Sequence, residues 1–179
     1  AVPLSDGATV KIVDNSKDFA DVSEDYWGAD AVAFATSREL FTGTSAATFS
    51  PDAATTRAMI VTVLARLEDV DTTDGSTWYE AGQQWAMENG ISDGTNMEGY
   101  LTREQLAAML YRYAGSPAVS GSLSAYPDAA QVSDWARDAM LWATENGIIN
   151  GIGGKLCPKD GATRAQLAAM LMRFAAGLA

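Results

Sequence analysis

The strongest constraint on the fold is one unit that occurs three times along the chain. Each copy carries two aromatic residues seven positions apart, and a glycine follows nine positions after the second of them. The aromatic pairs are Trp27 and Phe34, Trp78 and Trp85, and Trp135 and Trp142, and the glycines are Gly43, Gly94 and Gly151. A repeat of this kind predicts supersecondary units that bury their apolar faces against one another.

A Thr-Arg pair follows each of these glycines and opens a second pattern. The pairs are Thr56-Arg57, Thr102-Arg103 and Thr163-Arg164. Apolar residues stand three, six, seven and ten positions after each arginine, in the first unit at Ile60, Val63, Leu64 and Leu67. This spacing places them on one face of a helix, so each unit is predicted to be a first helix, a loop and a second helix.

We therefore predict an all-α domain in which three helix-loop-helix units adopt a pseudo-threefold arrangement around a central bundle of the three second helices. The predicted units cover residues 19–70, 71–115 and 116–179, and the last begins with a linker rich in glycine, serine and proline. Residues 1–18 are expected to be a tail or a linker from a preceding domain. Within them, Thr9 to Val13 alternates as a short strand would.

Composition excludes several classes of function. The chain has no histidine, which removes catalytic triads and histidine metal sites, and its single cysteine, Cys157, has no neighbouring base to activate it. A net charge of -11 argues against nucleic-acid binding, and the absence of a long apolar run argues against membrane insertion. We expect no enzymatic activity, no cofactor and no metal, and we interpret the acidic stretch from Asp69 to Glu80 as a polar turn rather than a calcium loop.

The entrance of each second helix carries two signals. The threonines are predicted N-caps, and Gln105 and Gln166 complete a capping box where the first unit has Met59. The arginine after each cap opposes the helix dipole, so two interpretations stay open. It binds an anionic ligand together with the free amides of the helix start, or it pairs with an internal acid such as Asp21, Asp52 or Asp128.

The tryptophans also allow two interpretations. Trp85 and Trp142 stand at helical spacing and are predicted to lie in the core. Trp27, Trp78 and Trp135 precede polar residues, so for them a core position and an exposed platform for sugar rings are equally compatible with the sequence.

Read together, these motifs resemble the S-layer homology repeat. The first unit shows Phe19-Ala20-Asp21-Val22, Trp27, Gly43, Phe49-Ser50-Pro51 and Thr56-Arg57-Ala58 in that order. The third unit matches with Tyr126-Pro127-Asp128-Ala129, Trp135, Gly151, Leu156-Cys157-Pro158 and Thr163-Arg164-Ala165. The second unit keeps the tryptophan, the glycine and Thr102-Arg103, but lacks the aspartate opening and the Phe-x-Pro loop.

The resemblance implies an extracellular module of the bacterial cell wall or S-layer that binds secondary cell-wall polysaccharide, bearing a pyruvylated amino sugar, in grooves between units of a monomer. The alternative is a protein-protein or S-layer assembly module that has lost glycan binding. The residues assigned to the ligand are Arg57, Arg103, Arg164, Thr56, Thr102, Thr163, Trp27, Trp78, Trp135, Asp21, Asp128, Gly43, Gly94, Gly151, Gln105 and Gln166. The family's glutamate is replaced by Met59, Gln105 and Gln166.

Loop length predicts that the three sites differ. From the repeat glycine to the arginine, the chain advances 14 residues in the first unit and 13 in the third, but only 9 in the second. The second unit has thus lost a wall of its groove, and Arg103 is expected to have no complete pocket. The first unit keeps the loop but has Met59 in place of the capping glutamine, so the sequence ranks Arg164 first, Arg57 second and Arg103 last.

Overall fold

A computed structural model describes residues 14–177 of the chain. This range contains six α-helices and no strand. In chain order they are α1 (Ala29–Ser37), α2 (Arg57–Leu67), α3 (Glu80–Glu88), α4 (Arg103–Tyr113), α5 (Arg137–Glu145) and α6 (Arg164–Gly177). The prediction of an all-α fold is confirmed. The predicted strand from Thr9 to Val13 lies outside the described residues.

The second helix of each unit begins at the predicted threonine cap. The hydroxyl of Thr56 accepts a hydrogen bond from the amide of Met59, at 3.3 Å. Around α4 and α6 the cap is reciprocal, because the side chains of Gln105 and Gln166 also accept from the amides of Thr102 and Thr163. The capping boxes predicted for the second and third units, and the simpler cap of the first, are confirmed.

Helices pack across unit boundaries rather than within units. The second helix of each unit lies against the first helix of the next, so α2 packs on α3, α4 on α5, and α6 on α1. The last of these contacts joins the third unit back to the first. The three units therefore form a closed ring within one chain.

The segments that lead into α2, α4 and α6 close a second, inner ring. The residue before each threonine cap donates its amide to a counterpart in another unit: Thr55 to the carbonyl of Ala162, Ala162 to that of Leu101, and Leu101 to that of Thr55. The three N···O distances are 2.8, 2.8 and 2.9 Å. This repeated hydrogen bond links all three units and returns to its starting residue.

The apolar stripes of α2, α4 and α6 lie in the core, as predicted from their spacing. At the far ends of these helices the ring of Tyr113 packs 5.5 Å from that of Phe174, and its hydroxyl donates to Glu68. Trp142 is buried and Trp85 packs partly buried against the core, which confirms the prediction for both.

We predict that Gly82 cannot be replaced by alanine without loss of stability. A Cβ atom at this position in α3 would lie 2.8 Å from the Cα of Thr62 in α2. Overpacking of this kind costs about 1–3 kcal/mol, which outweighs the gain of about 1 kcal/mol in helix propensity. Urea unfolding should show Gly82→Ala less stable than the wild type. Gly177→Ala, also helical but with open space around it, is the control and should lose nothing.

Candidate anion-binding grooves

Three grooves lie between the units and are built from equivalent elements. Each groove takes the number of the unit that supplies its loop and its second helix. The unit that follows in the chain, or the first unit in the case of groove 3, supplies a tryptophan. The remaining unit supplies the arginine at the start of its second helix. Groove 1 contains Trp78 and Arg164, groove 2 contains Trp135 and Arg57, and groove 3 contains Trp27 and Arg103. Their volumes are about 500, 490 and 370 Å³.

This geometry corrects the assumption on which the sequence ranking depended. Arg103 does not face the short loop of its own unit, since it lines groove 3 beside residues 148–152. Arg57 is the arginine that lies at the short loop, next to Ser92 and Asp93. The order inferred from loop length therefore assigned the short loop to the wrong arginine.

The helix-start amides are not available to a ligand, which is a second correction. In α2, Arg57 and Ala58 donate their amides to the carbonyls of Gly99 and Met97. The first two amides of α4 donate in the same way to the carbonyls of Asp160 and Pro158. Those of α6 donate to the carbonyls of Ala53 and Pro51. With the third amide of each helix taken by its threonine cap, any anion recognition falls to the side chains.

Arg164 is buried and its guanidinium is occupied by the protein. Nε donates to the carbonyl of Phe49 at 2.9 Å and Nη2 to that of Thr42 at 2.8 Å. The group also stacks on the rings of Phe49 and Phe41, with centroid distances of 4.5 and 5.0 Å. Burial lowers its pKa, and Asp21 opposes that shift. This arginine therefore mainly fastens the first unit's loop to α6.

Arg57 is bound to an acid, but not to one of the three proposed from the sequence. Its Nη2 lies 2.6 Å from Oδ1 of Asp93 and 3.0 Å from the hydroxyl of Ser92. Its Nε is buried and has no hydrogen-bond partner among the described residues. In Arg103 and Arg164 the same nitrogen donates to a backbone carbonyl, that of Leu156 or of Phe49. No carbonyl among the described residues accepts from Nε of Arg57.

Arg103 has the most unused donor capacity of the three. Its Nε donates to the carbonyl of Leu156 at 2.9 Å, and within residues 14–177 neither terminal nitrogen has a hydrogen-bond partner. Only 5% of the residue is exposed, and burial is the main cause that lowers its pKa. The charges of Asp160 and Asp128 oppose this shift of the pKa, whereas that of Arg173 adds to it. Two guanidinium groups thus line groove 3 without an ion pair between either of them and an acid in the described range.

A second set of arginines was missed in the sequence. Arg66, Arg112 and Arg173 stand nine positions after the first arginines, and each lines one groove. Each donates Nη1 to the carbonyl that lies three residues before the repeat glycine, at 3.2, 3.3 and 3.2 Å respectively. The repeated offset was the signal that could have revealed them. They double the positive charge available to each groove.

Asp21 and Asp128 shape the loops rather than pair with arginines. The carboxylate of Asp128 accepts the amides of Leu156 and Cys157 at 2.9 and 2.8 Å. Asp21 accepts the amides of Phe49 and Ser50 in the same manner. These bonds hold the carbonyls of Phe49 and Leu156 where Arg164 and Arg103 bind them.

The second unit lacks this aspartate but keeps part of the loop geometry. Counted back from the threonine caps, Asn96 corresponds to Ser50 and Cys157, and all three adopt a left-handed backbone, with φ of 51°, 57° and 50°. What the shorter loop omits are the counterparts of residues 44–48 and 152–155. The wall of groove 2 is thus reduced, not lost.

We predict a loss of stability in acid that depends on these two aspartates. The amide of Phe49 is the main cause that lowers the pKa of Asp21, while for Asp128 burial raises the pKa but the two amide bonds outweigh it. A depressed pKa stabilises the folded state above the ordinary value of about 4, and this contribution is lost as the pH falls through the lowered pKa.

Urea unfolding between pH 7 and pH 3 measures this effect. The free energy of unfolding should fall less steeply below pH 4 in Asp128→Asn than in the wild type. The same substitution at Asp138, an exposed residue of α5, is the control and should leave the slope unchanged. An unchanged slope in Asp128→Asn would show that this carboxylate does not carry the linkage.

The other predicted site residues divide into two groups. The three tryptophans that open the units are 59%, 55% and 57% exposed at Trp27, Trp78 and Trp135, so they lie outside the core. Groove walls also include Gly43, Gln105, Gly151, Thr163 and Gln166. Thr56, Thr102 and Gly94 are not among the groove-lining residues, and the two threonines act as helix caps.

Two other features could be taken for a site, an acidic turn and a large cavity. The carboxylates of Asp71 and Glu80 bind Thr73 and Ser76 within their own turn, and residues 14–177 contain no group of three or more acids or cysteines placed to bind a metal. A cavity of about 820 Å³ lies between residues 16–19, the end of α1 and residues 69–73. This cavity adjoins groove 1, with which it shares Phe41, Thr42, Gly43 and Arg66, but its other walls are not repeated in the other two units. None of the helices described is long and apolar enough to cross a bilayer.

Three repeated helical units with an arginine at each groove define a helical repeat domain. Residues 18–58 and 125–168 match the S-layer homology domain. The first and third units therefore contain S-layer homology domains.

Related proteins are much longer than this chain. An endoglucanase of Bacillus sp. (strain KSM-635) is 32% identical over 95% of the chain, which spans 20% of that protein. The S-layer protein sap of Bacillus anthracis is 23% identical over 93% of the chain, which spans 22% of it. A solved undecaheme cytochrome from the S-layer of Carboxydothermus ferrireducens has a TM-score of 0.46 and 19% identity, over 69% of this chain and 18% of the other. The chain is a cell-surface anchoring or S-layer module, and its location is the cell surface.

Proposed function

We propose that the chain anchors a larger protein by binding an anionic cell-wall polysaccharide in its grooves, without catalysis. The observation that supports this most directly is groove 3, where Arg103 has unpaired donors beside a second arginine and an exposed tryptophan. A carboxylate on a sugar offers a partner for the guanidinium, and the sugar ring offers an apolar face for the indole. A pyruvylated amino sugar has both features.

The site suits a charged ligand even though the whole chain is acidic. The net charge of -11 repels polyanions at long range, but groove 3 itself is lined by two guanidinium groups, Arg103 and Arg173, and by one carboxylate, that of Asp52. Screening at physiological ionic strength limits the long-range repulsion to about 8 Å. The short-range attraction therefore decides binding. Because the ring of units closes within one chain, a monomer has complete grooves.

Purified sacculi test the proposal. The protein should sediment with native sacculi, and this binding should be lost after the secondary polymer has been removed chemically. Equal capture by stripped sacculi would overturn the proposal and favour a protein-protein or S-layer assembly module. Calorimetry with soluble polymer, native and depyruvylated, then tests the carboxylate. Depyruvylated polymer should bind without measurable heat, and equal affinity would exclude the arginine mechanism.

The same sacculi test the absence of catalysis. Burial and the charges of Asp160 and Asp128 raise the pKa of Cys157, so its thiol is a poor nucleophile at neutral pH. We expect no release of reducing ends during incubation of the protein with sacculi. A release that follows the protein concentration would show an enzyme.

A further inference from the structure

We infer that groove 2 is occupied by the protein itself, because the carboxylate of Asp93 takes the place on Arg57 that a ligand carboxylate would need. This inference rests on the proposed function of the grooves. On this inference Asp93 reduces the number of grooves that can bind an acidic sugar.

The contact between Asp93 and Arg57 has the form of ligand recognition. Oδ1 of Asp93 lies 2.6 Å from Nη2 of Arg57, and the same nitrogen donates to Ser92. The side chain of Arg57 is 20% exposed and that of Asp93 is 66% exposed. An external carboxylate would therefore meet a guanidinium of which one terminal nitrogen, Nη2, is already bound twice, with the negative charge of Asp93 beside it.

The two other grooves have no acid at this position, and Asp52, which lines groove 3, forms no ion pair among the described residues. Asp93 directly precedes the repeat glycine of its unit, and the corresponding residues are Thr42 in groove 1 and Asn150 in groove 3. Among the described residues, Arg57 is the only first arginine of a repeat that forms an ion pair. At this position groove 2 has the carboxylate of Asp93, and groove 3 has the carboxamide of Asn150.

Tethering explains how a partly exposed ion pair excludes a ligand. Exposed pairs are weak in isolation, but a carboxylate fixed on the adjacent loop acts at a high effective concentration, on the order of millimolar or above. A dissolved ligand at micromolar concentration competes poorly with it. Hydrogen bonds from Thr95 lower the pKa of Asp93, so the carboxylate is charged at neutral pH.

The sequence offers matched substitutions in both directions. Asp93→Asn gives groove 2 the residue of groove 3 and removes the charge, and Asn150→Asp gives groove 3 the residue of groove 2. Calorimetric titration with oligosaccharide fragments of the pyruvylated wall polymer should show one more binding site in Asp93→Asn than in the wild type. The Asn150→Asp variant should show one fewer. Asp25→Asn, an exposed residue outside the grooves, controls for net charge and should match the wild type.

A second measurement needs no ligand. Phenylglyoxal reacts with accessible guanidinium groups, and mass spectrometry gives the rate at each arginine. Arg57 should react about fivefold faster in Asp93→Asn, the factor expected for loss of an exposed ion pair of ordinary strength, while Arg38 serves as the internal standard. Circular dichroism should show both variants folded.

The outcomes separate the two proposals. A wild type that binds polymer, with no extra site in Asp93→Asn, would overturn the inference and leave the anchoring function intact, even if Arg57 became more reactive. An unchanged reactivity of Arg57 would overturn it as well. A wild type that binds no polymer would refute the anchoring function, and in that case an Asp93→Asn variant that binds would still support the inference.

Discussion

Replacing Arg103 by alanine should weaken polymer binding by about ten- to a hundredfold, the largest loss among the three repeated arginines. The reason is that its terminal nitrogens are unpaired in groove 3, so a ligand carboxylate gains a charge-assisted pair without breaking an internal one. Arg164→Ala and Arg57→Ala should weaken binding less, because those guanidinium groups are bound to carbonyls and to Asp93. Calorimetry with soluble polymer gives the three dissociation constants.

Two control variants isolate the contribution of the guanidinium group in groove 3. Arg103→Lys keeps the charge but not the paired donors of a guanidinium, and it should recover only part of the affinity. Arg137→Ala removes an exposed arginine outside the grooves and should bind as the wild type does. Equal losses at Arg57, Arg103 and Arg164 would show that internal contacts do not set the order of the grooves.

Replacing Phe49 by alanine should destabilise the domain by about 3–5 kcal/mol. Its ring has no exposed surface, packs 5.6 Å from Phe19 and 5.8 Å from Phe41, and lies under the guanidinium of Arg164. Alanine leaves a cavity at the junction of the first and third units and removes the cation-π contact as well. The midpoint of urea unfolding measures the loss.

Trp27 is the contrasting aromatic residue. Because 59% of it is exposed, Trp27→Ala should cost about 1 kcal/mol or less in stability while it weakens polymer binding in groove 3. The pair of variants therefore distinguishes a core aromatic from a ligand platform. A stability loss in Trp27→Ala as large as that in Phe49→Ala would place this indole in the structural core.

Local signals were sufficient for the helices and their starts. The spacing of apolar residues defined the buried faces of α2, α4 and α6, and the threonine with its glutamine defined the capping boxes. Both signals come from residues three to seven positions apart on one helix, so they can be read directly from the chain. The same reasoning failed for the amides at the helix starts, because their acceptors lie in other units.

The sequence by itself determined that the chain is a threefold repeat of helices with an arginine at each second helix, and it made those arginines look alike. Only the tertiary structure decided which loop each arginine faces. Arg103 binds a carbonyl 53 residues away and Arg164 one 115 residues away, and no local pattern encodes such pairings. These pairings arise because each second helix packs on the next unit, so that its arginine lies at the loop of that unit. For Arg57 this loop contains Asp93.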